Sequence, residues 1–348
     1  MTNTETPKAA FNPEDMTGRP EATIWQKLGS SNTLWVGVIL VGLVVAFSVL
    51  HPGSFLTLFN IQELFIQLCL LLLLAVGMTF VIITGGIDLS VGTVLIFSGV
   101  LSAEVMQSLG GGDATKDGIG IILLGLVISV AAGGLWGLIN GWLVAYANVP
   151  PLIVTLGSFG AALGVADLIT NGNDVRTVPG ALRNTVGSGT VVYIPYLVII
   201  VVAITLFFGW LLHTTKFGRY TYAVGSSPEA ARRVGIPLKK QLMWVYLLSG
   251  LLAGVAGFLS LAYYGTTTIA GHTTDNLSAI SGVVLGGTSL FGGSGVLLGT
   301  VFGTFIPEVL SSGFVISGVP PFWQPIAVAI VLVAAVWFDQ RRRKNRPR

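Results

Sequence analysis

Long windows of apolar residues, separated by short polar or proline-containing segments, occupy the chain from residue 34 onwards. A helix needs about 20 apolar residues to cross the hydrocarbon core of a bilayer, and most windows approach that length. Within each window the apolar residues are continuous and do not alternate with polar ones, which argues against membrane β-barrel strands. The pattern therefore predicts an all-α, polytopic helical bundle of about ten helices, over residues 34–50, 61–83, 89–109, 118–147, 151–170, 194–213, 241–264, 278–292, 295–316 and 320–338.

Composition supports a membrane protein. Charged residues make up only 9% of the 348 residues, whereas 53% are hydrophobic. A soluble domain carries roughly 25% charged residues, so this chain could not cover a water-facing surface. Glycine is abundant, with 46 residues, and recurs every three or four positions at 133–142 and 250–257. Such spacing predicts helices that approach each other closely within the bilayer.

The basic residues are concentrated in two segments. One is the loop at 214–240 and the other is the C-terminus, and together they hold 12 of the 18 Lys and Arg residues. Basic loops stay on the cytoplasmic side, so both segments are expected inside. Six windows precede the loop and four follow it, which places the N-terminus and the C-terminus in the cytoplasm. The net charge of +3 therefore does not indicate a nucleic-acid partner. The C-terminal basic run would face anionic lipid.

Three regions are predicted along the chain. Residues 1–33 hold four acidic residues and three prolines, too long and too acidic a stretch for a signal peptide, and are expected to form a disordered cytoplasmic tail. Residues 34–338 form the transmembrane domain, which includes the cytoplasmic loop at 214–240. Residues 339–348 form a basic cytoplasmic tail.

One polar stretch, ITGGIDLSVG, interrupts the apolar pattern. Gly85 and Gly86 are expected to end one helix, Asp88 to cap the next helix from Leu89, and Ser90 to add a second acceptor. Non-helical backbone survives at membrane depth only where it is buried in protein or lines a wet cavity. Transporters place substrate sites at such broken helices. Capping explains every residue type, and contact of Asp88 with a transported solute stays open as the alternative.

A second glycine-rich break, LGGTSLFGGSG, spans residues 285–295 and adds Gly286, Gly287 and Thr288 to the candidates for a translocation path.

The loop at 214–240 contains a short helix with its own capping residues. The predicted elements are Ser227 as N-cap, Pro228 at the first helical position, Glu229 in the first turn, Arg232 and Arg233 near the end, and Gly235 as a left-handed stop. Its apolar face consists only of Ala230, Ala231 and Val234, which is too small to hold it in lipid. We therefore expect it to dock in a groove on another protein.

Three stretches, GMTFVIITGGIDLSVGTVLIFSGV, GRYTYAVGSSPEAARRVGI and VVLGGTSLFGGSG, occur in this order. With them the chain resembles bacterial sugar ABC transporter permeases of the ribose/xylose/fructose type from about residue 34 to 340. The resemblance implies a homodimer in the bacterial inner membrane that imports a monosaccharide or similar small polyol. It also implies a periplasmic sugar-binding protein and a cytoplasmic ATP-binding cassette partner, coupled through residues 216–236.

The same resemblance places ATP and Mg²⁺ on the partner ATPase. The chain has no GxxxxGK[ST] motif, so it is not expected to be an enzyme or to bind a cofactor or metal of its own. Similar permeases carry an acidic residue and, two positions later, Asp in the pattern ELDAIAA. Here NLSAISG places Asn276 and Ser278 there, with Asp275 one residue earlier. This departure puts a charge-based role of that segment in doubt and leaves the sugar unidentified.

Acidic residues within the windows keep one alternative open. Glu63, Glu104, Asp167 and Glu308 lie in apolar windows, and Glu308 directly follows Pro307. Intramembrane acids mark proton relays in secondary transporters. A proton-coupled carrier for a small polar solute is therefore the alternative function, and a requirement for ATP and a partner would distinguish the two.

Overall fold

The computed structural model describes residues 32–110, 118–176, 178–320 and 322–344. The predicted N-terminal tail up to residue 31 and the last four residues of the basic tail lie outside these ranges. The described helices are α1 (Asn32–Leu50), α2 (Leu58–Ile83), α3 (Val91–Leu109), α4 (Ile119–Ala145), α5 (Pro151–Thr170), α6 (Gly180–Leu182), α7 (Tyr196–Thr214), α8 (Lys216–Ser226), α9 (Pro228–Arg233), α10 (Leu238–Tyr264), α11 (Asp275–Leu285), α12 (Leu297–Ile316) and α13 (Trp323–Lys344). A π-helical turn at Arg183–Gly187 follows α6, and a hairpin of β1 (Thr190–Val191) and β2 (Ile194–Pro195) precedes α7.

Each predicted window contains one long or medium helix, so the all-α polytopic architecture is confirmed. Within the described ranges, seven helices are long and apolar enough to cross a membrane: α2, α3, α4, α5, α7, α10 and α12. Helix α11 has only 11 residues, about 16 Å at 1.5 Å per residue, roughly half of the hydrocarbon thickness. It is shorter than the predicted window because the chain leaves the helix at Gly286. A total of ten spans stays a prediction.

Helix α2 forms the centre of the bundle. Every residue from Leu68 to Ile83 is buried, so the helix has no polar or lipid-facing side over that length. A helix that is apolar all round is buried on all sides. It packs against α7, α10, α11 and α12.

The ends of the helices define two faces. The start of α2 lies near the end of α12, because the Ser312 hydroxyl of α12 donates to Asn60 Oδ1 of α2 at 3.0 Å. Helix α1 ends on the same face, with Phe47 packed against Gly313. Helix α2 ends at Ile83, whose carbonyl lies against α8. Helices α8 and α9 therefore lie on the face opposite to the one where α1 ends and α13 begins.

Close contact between α4 and α10 depends on small residues at the predicted spacing. A Cβ added at Gly250 would meet the backbone of Gly137 at 2.8 Å, and the Ser129 hydroxyl donates to the Gly254 carbonyl at 2.8 Å. The two backbones leave no room for larger side chains. The predicted tight helix packing is confirmed for this pair.

We expect Gly137→Leu to destabilise the protein by about 3 kcal/mol or more, because the added atoms would meet backbone that cannot rotate away. The measurement is the thermal unfolding midpoint of the detergent-solubilised protein. Gly160→Leu is the matched control, since a Cβ at Gly160 in α5 has nothing within 4 Å. Equal midpoints for the two variants would contradict the packing argument.

Candidate functional site

The first break in the helices lies between α2 and α3. Gly85 adopts a φ of +82°, the left-handed region that glycine tolerates, and turns the chain after α2. Helix α3 begins at Val91, two residues later than predicted. Asp88 is 1% exposed, and its Oδ1 accepts from the Ser90 N–H at 3.0 Å and the Ser90 hydroxyl at 2.6 Å. Asp88 thus accepts from a backbone N–H, as expected, but this N–H belongs to Ser90, in the turn before α3.

The expectation that Ser90 would cap an N–H of the following helix is wrong. Ser90 occupies the N-cap position, but its side chain makes no capping bond. Its hydroxyl donates to Asp88 and accepts from the Asn140 amide at 2.9 Å. A cap would offer the hydroxyl oxygen to a backbone N–H, but here that oxygen accepts from the Asn140 amide of another helix.

A buried polar network ties this break to three other helices. The Ser249 hydroxyl of α10 donates to Asp88 Oδ2 at 3.0 Å. Asn140 of α4 donates to Ser90 and accepts from the Ser158 hydroxyl of α5. Networks of this kind hold one arrangement rigidly when every member is paired. Asp88 is buried and both of its carboxylate oxygens accept from serine groups, which favours a positioning role over direct solute contact.

The second break, at residues 286–295, is bonded to the first. Gly293 has a φ of +74°, and its N–H donates to the Ile83 carbonyl at 2.8 Å. Gly287 is also left-handed, with a φ of +90°, and Gly286 leaves no room for a Cβ against the backbone of Gly299. The two breaks were predicted separately, and the structure brings them into contact.

Two further predicted residues lie at these breaks. The Asn276 amide, at the start of α11, donates to the Leu89 carbonyl at 2.9 Å. Thr288 is buried, and its hydroxyl has no hydrogen-bond partner within the described ranges. The predicted residues of the 85–90 segment, Asn276 and the second break therefore form one connected region in the interior of the bundle.

The predicted cytoplasmic helix is present as α9 with its predicted caps. The Ser227 hydroxyl accepts from the Ala230 N–H at 3.3 Å, Pro228 is the first helical residue, and Gly235 has a φ of +80°. These features are local, so the order of capping residues along the chain is enough to specify them.

The prediction that Ala231 belongs to the apolar docking face of α9 is wrong. Ala231 is 3% exposed and faces its own chain, whereas Ala230 is exposed and Val234 is 76% exposed. Residues 230 and 234 are four apart and share one side of the helix, while 231 points about 100° away. The outer surface of α9 is therefore formed by Glu229, Ala230, Arg232, Arg233 and Val234.

Helix α8, which was predicted only as part of the loop, connects α9 to the breaks. The Tyr222 hydroxyl donates to the Gly295 carbonyl at 2.7 Å, and burial raises the pKa of Tyr222 to about 12, so the group stays a donor at neutral pH. Gly225 packs directly on the Ile83 carbonyl. On the other side, the Gln241 amide of α10 donates to the Thr221 hydroxyl at 2.9 Å. A displacement of α9 would reach both breaks through α8.

Comparisons with known proteins agree with the geometry. A family model described as branched-chain amino acid transport system / permease component matches residues 60–336. The chain is 32% identical to the fructose import permease protein of Rhizobium meliloti over 315 residues, 88% of this chain and 85% of the relative. It is 35% identical to the ribose import permease protein of Escherichia coli K12 over 312 residues, 88% of this chain and 93% of the relative. It is 32% identical to the D-allose transport system permease protein of the same strain over 319 residues, 92% of this chain and 93% of the relative. No solved structure matches the chain significantly.

Proposed function

The chain belongs to the family of branched-chain amino acid transport system permease components, and from that premise we propose that it carries a monosaccharide or similar small polyol. It is a multi-pass permease of an ABC importer in the bacterial inner membrane. The observation that carries the choice of substrate class is that relatives named for three different sugars each align over 88% or more of this chain. One pentose and two hexoses define the class without selecting a single sugar.

The partners follow from the same premise. A periplasmic binding protein delivers the sugar, and a cytoplasmic ATP-binding cassette protein binds ATP and Mg²⁺ and hydrolyses the nucleotide. Two copies of this chain form the membrane part as a homodimer. Helix α9 is the contact with the ATPase: it is ordered by its own caps, it is charged on its outer surface, and α8 joins it to both breaks.

The test of this function is uptake of radiolabelled D-ribose, D-fructose and D-allose into proteoliposomes. The vesicles contain the permease with the ATPase and binding protein that co-purify with it. Uptake of one of these sugars that needs internal ATP and the binding protein supports the proposal. Uptake that instead follows an imposed proton gradient, without ATP or partners, would overturn it in favour of the proton-coupled carrier.

We also propose that α8, α9 and both chain termini face the cytoplasm, which the basic residues of the 214–240 loop favour. In a Cys69→Ala background, a cysteine at position 230 should react with an impermeant thiol reagent only from the cytoplasmic side. A cysteine at position 192, in the 82% exposed tip of the hairpin, should react only from the periplasmic side. Spheroplasts and inverted vesicles give the two sides, and the reverse labelling pattern would overturn this orientation.

A further inference from the structure

Two adjoining cavities lie between α2, α10, α11, α12 and α13. Their volumes are about 290 and 230 Å³, and they share Gln67, Gly271, Asp275 and Glu308 in their linings. We refer to the two together as the polar chamber. Ligand pockets begin at about 300 Å³, so the polar chamber is of a size for one small solute.

Glu308 has an unusual position in this chamber. It follows Pro307 inside α12, and the proline ring removes the N–H that would otherwise bond the Gly303 carbonyl. The Glu308 carboxylate has no hydrogen-bond or ion-pair partner among the described residues, although it lines both cavities. An acidic side chain at membrane depth is costly unless something pairs with it. The chamber therefore presents an acceptor that a ligand entering from outside could bind.

Donor groups and fixed acceptors surround Glu308. The Tyr264 hydroxyl donates to Gln67 Oε1 at 2.9 Å, and the amide N–H groups of Gln67 have no acceptor among the described residues. His272 lies 2.7 Å from Asp275 through Nδ1 and 3.0 Å from the Ser260 hydroxyl through Nε2, so the Asp275 carboxylate is held in place. The chamber wall thus carries both donors and acceptors in fixed positions.

Further groups point to a hydroxylated ligand. The Thr268 hydroxyl lines the smaller cavity, is enclosed, and has no partner in the described part of the chain. Ser278 and Ser311 add hydroxyls to the larger cavity, where Phe314 supplies an aromatic surface. A sugar ring offers hydroxyls that both donate and accept, together with an apolar C–H face. The amide and hydroxyl groups can donate to and accept from such a solute, and the two carboxylates can accept from its hydroxyls.

We propose that the polar chamber is a binding site for one monosaccharide ring on its way through the permease, held by Glu308, Asp275 and Gln67. This site rests on the proposed sugar-import function. Glu308 and Asp275 accept hydrogen bonds from ring hydroxyls, and the Gln67 amide donates to a ring or hydroxyl oxygen. The aromatic surface of Phe314 covers the apolar face of the ring.

The first test is the rate of ATP-driven uptake by the reconstituted importer carrying Glu308→Gln. The substitution keeps the size of the side chain and weakens a charge-assisted hydrogen bond, so the maximal uptake rate should fall by about tenfold or more. The affinity of the binding protein for the sugar should not change. Glu104→Gln is the matched control, because Glu104 is a half-buried acid of α3 outside the chamber lining, and its uptake should equal that of the wild type.

The second test measures occupancy directly and does not depend on uptake by a variant. Ser278→Cys in a Cys69→Ala background places a thiol in the chamber. Without binding protein, millimolar D-ribose, D-fructose or D-allose should slow labelling at this thiol at least threefold, while equimolar NaCl should not. Protection by NaCl alone would show a cation site and overturn the proposal.

The two proposals fail in different ways. If wild-type vesicles import the sugar with ATP, but Glu308→Gln imports it equally well and no sugar protects the thiol at position 278, the chamber proposal is wrong and the importer function stands. If no sugar is imported with ATP, the importer function itself fails. If Glu308→Gln abolishes only a response of uptake to a proton gradient, the chamber serves proton coupling and the sugar site is rejected.

Discussion

Replacing Ala230 by Trp is expected to reduce the ATP hydrolysis that loaded binding protein stimulates by about tenfold or more, which corresponds to about 1.4 kcal/mol of lost contact energy. Ala230 is exposed on the outer surface of α9, so a bulky ring would occupy the space needed by a close-fitting groove. The Ser227 cap and the inward-facing Ala231 are not altered by this change. Membrane insertion and folding should therefore be the same as in the wild type.

The matched control is Ala230→Ser, which keeps a small side chain at the same position and should preserve stimulation. Co-purification of the ATPase with each variant separates loss of docking from loss of coupling. Loss of docking and loss of coupling would each support a contact between α9 and the ATPase. Normal assembly, stimulated hydrolysis and uptake with Ala230→Trp would show that the ATPase docks elsewhere, and α9 would lose its proposed role.

Ala231 illustrates how far local sequence predicts this surface. The caps of α9 depend on residues within one turn of each other, and the sequence alone was sufficient to place them. The side of the helix that faces outward depends on its contacts with α8 and α10, and no pattern within six residues contains that information. Helix α8 was not predicted for a related reason. Its position depends on the packing of Gly225 against Ile83, which is more than 140 residues away in the chain.

The two breaks show the same difference between what local sequence predicts and what depends on contacts between distant segments. Glycine pairs indicate where a helix ends, because glycine adopts the left-handed turn without strain, and both breaks occur at the predicted glycine pairs. Their bonding through Gly293 and Ile83 depends on how distant segments pack, and no local signal specifies it. In the polar chamber the sequence drew attention to Glu308, beside Pro307, and to Asp275 and Ser278. Gln67 and Tyr264 lie in ordinary apolar helices, and only the fold brings them together.

The number of membrane-spanning helices is hard to predict from the sequence for a similar reason. The apolar window at 278–292 was counted as a span by composition, although its helix ends at Leu285. Apolar residues beyond a helix end are still buried when the break packs against other helices, as Gly286 does against Gly299. Hydropathy measures burial in protein and in lipid alike, so a helix of half the membrane thickness cannot be recognised from it.

Asp88→Leu is expected to destabilise the permease strongly, because three buried donors would lose their acceptor. They are the Ser90 N–H, the Ser90 hydroxyl and the Ser249 hydroxyl. Each unsatisfied buried group costs about 1–3 kcal/mol, so a total loss of roughly 3 kcal/mol or more is expected. Thermal unfolding of the detergent-solubilised protein should shift down by on the order of 5–10 °C, with less folded protein in the membrane.

Asp88→Asn is the matched comparison, and its outcome decides what the carboxylate does. The Asn oxygen can still accept from Ser90, and its amide can donate to the Ser249 hydroxyl, which accepts as well as it donates. We therefore expect Asp88→Asn to fold, assemble with its partners and import sugar at close to the wild-type rate. If Asp88→Asn folds and assembles normally but transports nothing, the charge itself is needed for transport, since every hydrogen bond that positions the break can be made without it. Direct contact of Asp88 with the solute, in a conformation that opens the break, would then replace the positioning role.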